Sequence, residues 1–191
     1  MAQRAPHHLF TYAEYVRREQ ETGAKHEWCA GQLFAMAGGT PEHARLAARM
    51  AAALLPLAQA KGCEVFSSDL KVRVLETGLA TYPDCTVVCG APVLDAEDAN
   101  AVTNPRVVVE VLSPSTESYD RGEKLWHYQQ VPSIQAVILV AHDSRRIEVL
   151  HRGPDGSWSR VAAEGSGAVA VPALEGSISL EAVYGARSLE R

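Results

Sequence analysis

The chain has 191 residues, 47% of them hydrophobic and 21% charged, with a formal net charge of −5. That length suits one domain with a substantial core and argues against two full domains. The acidic balance argues against a purely electrostatic nucleic-acid binder but leaves room for an enzyme that reaches phosphate through a metal ion. No apolar run approaches a membrane span, and the N-terminal residues lack a signal-peptide core, so a soluble, cytoplasmic protein with no membrane partner is expected.

Thr11-Tyr-Ala-Glu14 has the spacing of a capping box and opens a short helix to about Gln20, ended by Gly23. Residues 25–37 read as a hairpin turning at Ala30-Gly31. Gly38-Gly39 breaks the pattern, and Thr40-Pro41 starts a long helix with a threonine cap and proline at the first position. That helix runs to about Ala60 and should be kinked or shortened by Pro56. Strands follow over 64–66, 70–75 and 83–89, and the acidic, aperiodic stretch 91–104 reads as a loop. A strand over 107–112 precedes an amphipathic helix over 118–130, stopped by Pro132. Further strands cover 135–140 and 147–151, and Gly153-Pro-Asp-Gly156 turns a hairpin whose return strand carries Trp158. The tail ends with one helical turn near residues 180–184. The order predicts an α+β, single-domain fold: one mixed central sheet flanked by helices. Residues 1–62 supply the N-terminal helix, hairpin and long helix, 63–151 the core, and 152–191 the C-terminal hairpin and tail.

Cys29, Cys63, Cys85 and Cys89 are too few and too scattered for a disulfide framework. No second cysteine pair completes a zinc pattern, and the histidines outside the long helix (7, 8, 26, 127, 142 and 151) form no metal-spaced pair. Small buried hydrophobes are the expected role of the cysteines.

The most informative residue is Glu110, the single charge in Arg106-Val-Val-Val-Glu-Val-Leu-Ser-Pro114. The β-branched run around it predicts a strand buried on both faces. A carboxylate there is destabilising by several kcal/mol or more unless it is paired, protonated or bound to a cation. Tyr82-Pro83-Asp84 places a second acid at the start of a strand, where proline is tolerated. If the two strands pair, Asp84 sits beside Glu110, and a divalent cation between them relieves their repulsion. Oxygen donors with waters suit Mg²⁺ or Mn²⁺ rather than zinc. On the next helix, Lys124 could hold a phosphate oxygen or orient an attacking water. Its local spacing alone points rather to a solvated i,i+4 pair with Asp120.

Pro83-Asp84, Glu110 within Val-Glu-Val-Leu-Ser-Pro-Ser-Thr, then Asp120, Lys124 and Tyr128, then Pro-Ser-Ile-Gln-Ala-Val-Ile-Leu-Val, resemble the Uma-type family. That family is classed with the restriction endonucleases in the PD-(D/E)XK nuclease superfamily. The resemblance spans nearly the whole chain, from the hairpin Lys25-His-Glu27-Trp-Cys-Ala-Gly31 through His43 to Leu180-Glu-Ala-Val-Tyr184. It implies a restriction endonuclease-like core, with Asp84 and Glu110 as catalytic and metal-binding acids. The motif lysine would stand at Leu112. Lys124 fits the variant in which that lysine has moved to the neighbouring helix. Glu27 resembles an additional acid supplied by an early element, and its alternative is an exposed strand glutamate. His43 either faces the site or helps to cap its helix. Tyr128 either touches substrate or packs in the core. Ser113 and Ser115 are placed for phosphate contacts and are also ordinary turn formers.

The expected activity is Mg²⁺- or Mn²⁺-dependent hydrolysis of phosphodiesters, with nucleic acid, foremost DNA, as partner and a homodimer as assembly. One alternative is a catalytically inactive nuclease-fold module for nucleic-acid binding or assembly. Another is a purely structural pair between Glu110 and Lys124.

Overall fold

The computed structural model describes residues 9–36 and 39–186. The proposed break at Gly38, the end of the hairpin at Ala37, and His7 and His8 lie outside the described residues. Helix α1 (Tyr12–Thr22) begins at the Thr11–Glu14 capping box and ends at Gly23, whose φ of 67° is the left-handed conformation glycine tolerates best. Strands β1 (His26–Cys29) and β2 (Gln32–Ala35) are joined by Ala30 and Gly31, both at positive φ, as a tight two-residue hairpin requires. Helix α2 (Pro41–Gln59) follows its Thr40 cap. It continues beyond Pro56, so the expected shortening does not occur. Leu46, Met50 and Leu54 lie four residues apart on α2 and are fully buried, each contributing about 1.5–3 kcal/mol of apolar burial.

Strands β3 (Cys63–Ser67), β4 (Lys71–Val74), β5 (Leu79–Thr81), β6 (Cys85–Cys89), β7 (Ala101–Val102) and β8 (Val107–Val111) come next. The helical segment after β8 has three parts: α3 (Glu117–Tyr119), a π-helical turn (Asp120–Lys124) and α4 (Leu125–Gln130). Then come β9 (Ala136–Val140), β10 (Arg146–Arg152), β11 (Trp158–Glu164), β12 (Ala168–Val171), a 3₁₀ turn (Pro172–Leu174), β13 (Gly176–Ser179) and α5 (Leu180–Tyr184).

The mixed central sheet has six strands in the order β11-β10-β9-β8-β6-β3, parallel only between β8 and β9. A second sheet, not expected from the strand pattern, has the order β2-β1-β5-β4-β7. Its edge strand β7 comes from the stretch read as a loop. The β12–β13 hairpin was also hidden, because its alternating Ala-Val-Ala-Val is short and flanked by glycine and serine.

Side-chain alternation on β8 divides the core. Val107, Val109 and Val111 pack with α2, the β12–β13 hairpin and α5. Val108 and Leu112 pack on the other face with Tyr128, Val131, Ile134 and residues of the second sheet. The site described below therefore lies between the two sheets. On the outer side of the second sheet, α1 packs Tyr12, Tyr15 and Val16 onto Trp28 and Ala80. Beside them, buried Lys71 bridges Glu19 at 2.6 Å and Asp98 at 2.5 Å.

One cysteine expectation is corrected. Cys63 and Cys89 form a disulfide, because β3 and β6 pair in a register that places them directly opposite with Cα atoms 4.0 Å apart. Their separation of 26 residues in sequence gave no sign of this. Cys29 and Cys85 are free.

Candidate active site

Antiparallel pairing of β6 with β8 sets Cys85 opposite Val109, so one step beyond the last pair Asp84 faces Glu110. Asp84 Oδ2 accepts the Val111 backbone N–H at 2.7 Å, which ties the two strand ends together. His43 Nε2 stands 3.3 Å from the same oxygen. The imidazole comes from the first turn of α2 and lies against Gly39, where a Cβ would sit 2.8 Å from Nδ1. Hydrogen bonding to Asp84 raises the His43 pKa, against the opposing effect of burial. Both roles expected for His43 are seen: its imidazole faces Asp84, and its backbone N–H donates to the Thr40 cap oxygen at 3.2 Å.

Glu110 is buried, 4% exposed, and its partner is Lys124. Lys124 Nζ lies 2.9 Å from Glu110 Oε1, 3.0 Å from Glu27 Oε1 and 3.5 Å from Asp120 Oδ1. The π-helical turn widens the backbone so that Asp120 and Lys124 are both buried. The solvated i,i+4 pair expected as the plain alternative is therefore not what forms. Tyr128 donates its hydroxyl proton to Glu110 Oε1 at 2.5 Å and has no exposed surface. Of its two expected roles, packing in the core is the one observed: the ring lies between the sheets, with its hydroxyl on Glu110.

Glu27 is likewise not an exposed strand residue. Alternation on β1 turns Trp28 towards α1 and Glu27 inwards, where Thr81 donates a hydrogen bond to it. Thr81 and Asp120 complete the cluster; Asp120 is among the residues that carry the family resemblance, whereas Thr81 is indistinguishable in sequence from an ordinary threonine. Leu112 is buried in the core on the Glu110 side of β8, so the usual lysine position is filled by packing. Ser113 lies 3.1 Å from Ser115 and 2.9 Å from Thr116, hydroxyl to hydroxyl, in the turn after β8.

Burial pushes Glu110 up to about 8, reinforced by Asp120 and Asp84 and opposed by Lys124 and Tyr128. Burial works against the charge on Lys124, but Glu110, Tyr128, Glu27 and Asp120 outweigh it and raise its pKa. The group therefore holds one firmly charged ammonium among carboxylates, with Glu110 made reluctant to ionise by its burial. Asp84 and Glu110 offer oxygen donors only, and the remaining positions of a hard divalent ion are ordinarily filled by water and phosphate. That donor chemistry fits Mg²⁺ or Mn²⁺.

Residues 12–182 match the model of the Uma2 family, described as "Putative restriction endonuclease". The chain belongs to the Uma2 family. Among its relatives is "Uncharacterized protein slr1290" of Synechocystis sp. PCC 6803, 33% identical over 94% of each chain. A second from that organism, "Uncharacterized protein sll1609", is 32% identical over 78% of this chain and 85% of its own. A crystal structure of "a putative nuclease belonging to DUF820" from Anabaena variabilis superposes with a TM-score of 0.73 at 16% identity, covering 92% of this chain and 97% of that one. At that identity the likeness establishes the fold, and the Uma2 chain shares the restriction endonuclease-like α+β architecture expected from its sequence. Among the described residues no helix is long and apolar enough to cross a membrane.

Proposed function

We propose that this Uma2 protein is a metal-dependent endonuclease hydrolysing phosphodiester bonds in DNA, with Asp84, Glu110 and Lys124 at its catalytic centre. One observation carries the reading: Lys124 reaches Glu110 at 2.9 Å from the neighbouring helix, while the motif position Leu112 is sealed in the core. Asp84 and Glu110 would hold Mg²⁺ or Mn²⁺. Such an ion polarises the scissile phosphate and lowers the pKa of a bound water.

Lys124 neutralises charge developing on the phosphate, and Glu27 and Asp120 keep its ammonium charged and in place. Tyr128 orients Glu110. His43 and the Val111 amide orient Asp84. The Ser113, Ser115 and Thr116 hydroxyls at the strand end are available to phosphate oxygens. A homodimer that brings two such centres to one duplex is part of the proposal, as is a basic requirement for the ion, since the chain itself carries a charge of −5.

The test is nicking of supercoiled plasmid with Mg²⁺ or Mn²⁺ by the native chain and by Asp84→Ala. Metal-dependent nicking by the native chain, reduced at least 100-fold in Asp84→Ala, is the expected result. Equal activity in both would remove the assignment.

One observation favours a second reading: Lys124 and Tyr128 both already engage Glu110 Oε1. Under that reading the fold is an inactive module for nucleic-acid binding or assembly. It predicts DNA binding that Glu110→Gln leaves intact, with no metal-dependent nicking.

A further inference from the structure

Beside the acidic centre, Cys29, Glu123 and His127 offer one donor atom each within 4.8 Å of one another. Cys29 Sγ lies 3.7 Å from His127 Nε2, and His127 Nε2 lies 3.8 Å from Glu123 Oε1. The donor edges of a tetrahedral zinc site with sulfur, nitrogen and oxygen ligands are roughly 3.3–3.6 Å, from the usual bond lengths. Two of the three edges are therefore within about half an ångström of that geometry, and the third, from Cys29 to Glu123, lies within 4.8 Å and is free to shorten through the exposed Glu123 side chain.

The imidazole is also oriented for this. Its Nδ1 is engaged by the Thr77 hydroxyl at 2.6 Å, which leaves Nε2 as the ring nitrogen turned towards the thiol and the carboxylate. Metal-binding histidines are commonly fixed through the second ring nitrogen in this way. Glu123 is exposed, so a fourth position on its side is open to water.

We propose that Cys29, Glu123 and His127 form a binding site for a zinc-type divalent ion, with Thr77 orienting His127. Thiolate, imidazole and carboxylate together select a borderline-soft ion, unlike the all-oxygen pair of Asp84 and Glu110. The site is thus chemically distinct from the proposed nuclease centre and independent of that reading. It clamps β1, which carries Glu27 two residues before Cys29, to the helical segment that carries Lys124 next to Glu123.

The segments involved lie far apart in sequence. Glu123 and His127 show only an ordinary i,i+4 spacing, and Cys29 lies about a hundred residues earlier. This is why neither cysteine nor histidine spacing revealed the cluster.

Co²⁺ titrated into the metal-free, unreduced full chain tests the proposal. One Co²⁺ per chain should bind with thiolate-to-cobalt charge-transfer absorption. That absorption should vanish in Cys29→Ser, and affinity should fall at least tenfold in Glu123→Gln and in Thr77→Val. Asp84→Ala should leave it unchanged. Glu123→Gln alters an exposed side chain, so it tests the site even if Cys29→Ser folds poorly. Absence of the charge-transfer band in the native chain, its persistence in Cys29→Ser, or unaltered affinity in Glu123→Gln would overturn the proposal.

Discussion

Replacing Lys124 with methionine removes the ammonium that touches Glu110, Glu27 and Asp120 while keeping most of the side-chain volume. Breaking a buried ion pair from one side destabilises by about 3–5 kcal/mol when the orphaned carboxylate stays charged. Proton uptake limits that loss, and the pH dependence follows from its sign. The folded-state pKa of Glu110, about 8, lies above its ordinary 4.5. Its favourable contribution is therefore complete below pH 4.5 and is lost as pH rises towards and through 8.

Lys124 lowers that folded value, so in Lys124→Met it moves above 8, and the loss continues where the native chain has levelled off. The stability gap between the two proteins should therefore widen between pH 6.5 and pH 9.5. At 1.36 kcal/mol per pH unit, the 1.5 units above 8 add about 2 kcal/mol. An unfolding entropy of about 2.1 cal/mol/K per residue converts 3–5 kcal/mol at pH 9.5 into a fall in Tm of roughly 7–12 °C for this chain. Thermal unfolding followed by circular dichroism at the two pH values measures this directly. The double variant Lys124→Met/Glu110→Gln should recover at least half of the loss, because the stranded charge is gone. A Tm within 2 °C of native at pH 9.5, or a gap of equal size at both pH values, would refute the claim that Lys124 neutralises Glu110.

Two further outcomes follow from other buried contacts. Glu148, 1% exposed, lies 2.7 Å from Arg121, 3.1 Å from Arg160 and 3.4 Å from Arg146. Burial opposes its charge, and the three guanidinium groups overcome that and lower its pKa. Its contribution is present above the ordinary carboxylate range and is lost as pH falls through the lowered value. Glu148→Gln should therefore be less stable at pH 7 by about 1.5–3 kcal/mol, with the gap closing in acid titrations below pH 4.5. A gap that grows in acid would contradict the assignment. Reduction of Cys63–Cys89 releases a 26-residue loop and should lower stability by about 3–4 kcal/mol in the chain-entropy account. Coincident urea unfolding curves with and without reductant would argue against that pairing.

The buried strand around Glu110 was legible because a β-branched run has no helical polar face, and its one charge stood out for that reason. The Thr11 and Thr40 caps were legible because capping chemistry acts over three residues. Asp84 was legible at the strand start through Pro83. Lys124 was a candidate from its place on the following helix, but local spacing alone favoured a solvated pair with Asp120, and family resemblance decided between the two. The π-helical turn, the inward faces of Glu27 and Thr81, and the disulfide left no local trace.

Local composition by itself determined most of the longer strands, the helix starts and the carboxylate candidates, because propensity, capping and alternation depend on neighbours within a few residues. The division into two sheets, the register that sets Asp84 across from Glu110, and the convergence of Lys124 on three acids were decided by tertiary structure. So was the meeting of Cys29 with Glu123 and His127. Each of these brings together residues from distant segments, and burial between the sheets turns their spacing into strong electrostatics. Glu110 announced a partner in the sequence, and the packing of the helix after β8 supplied Lys124.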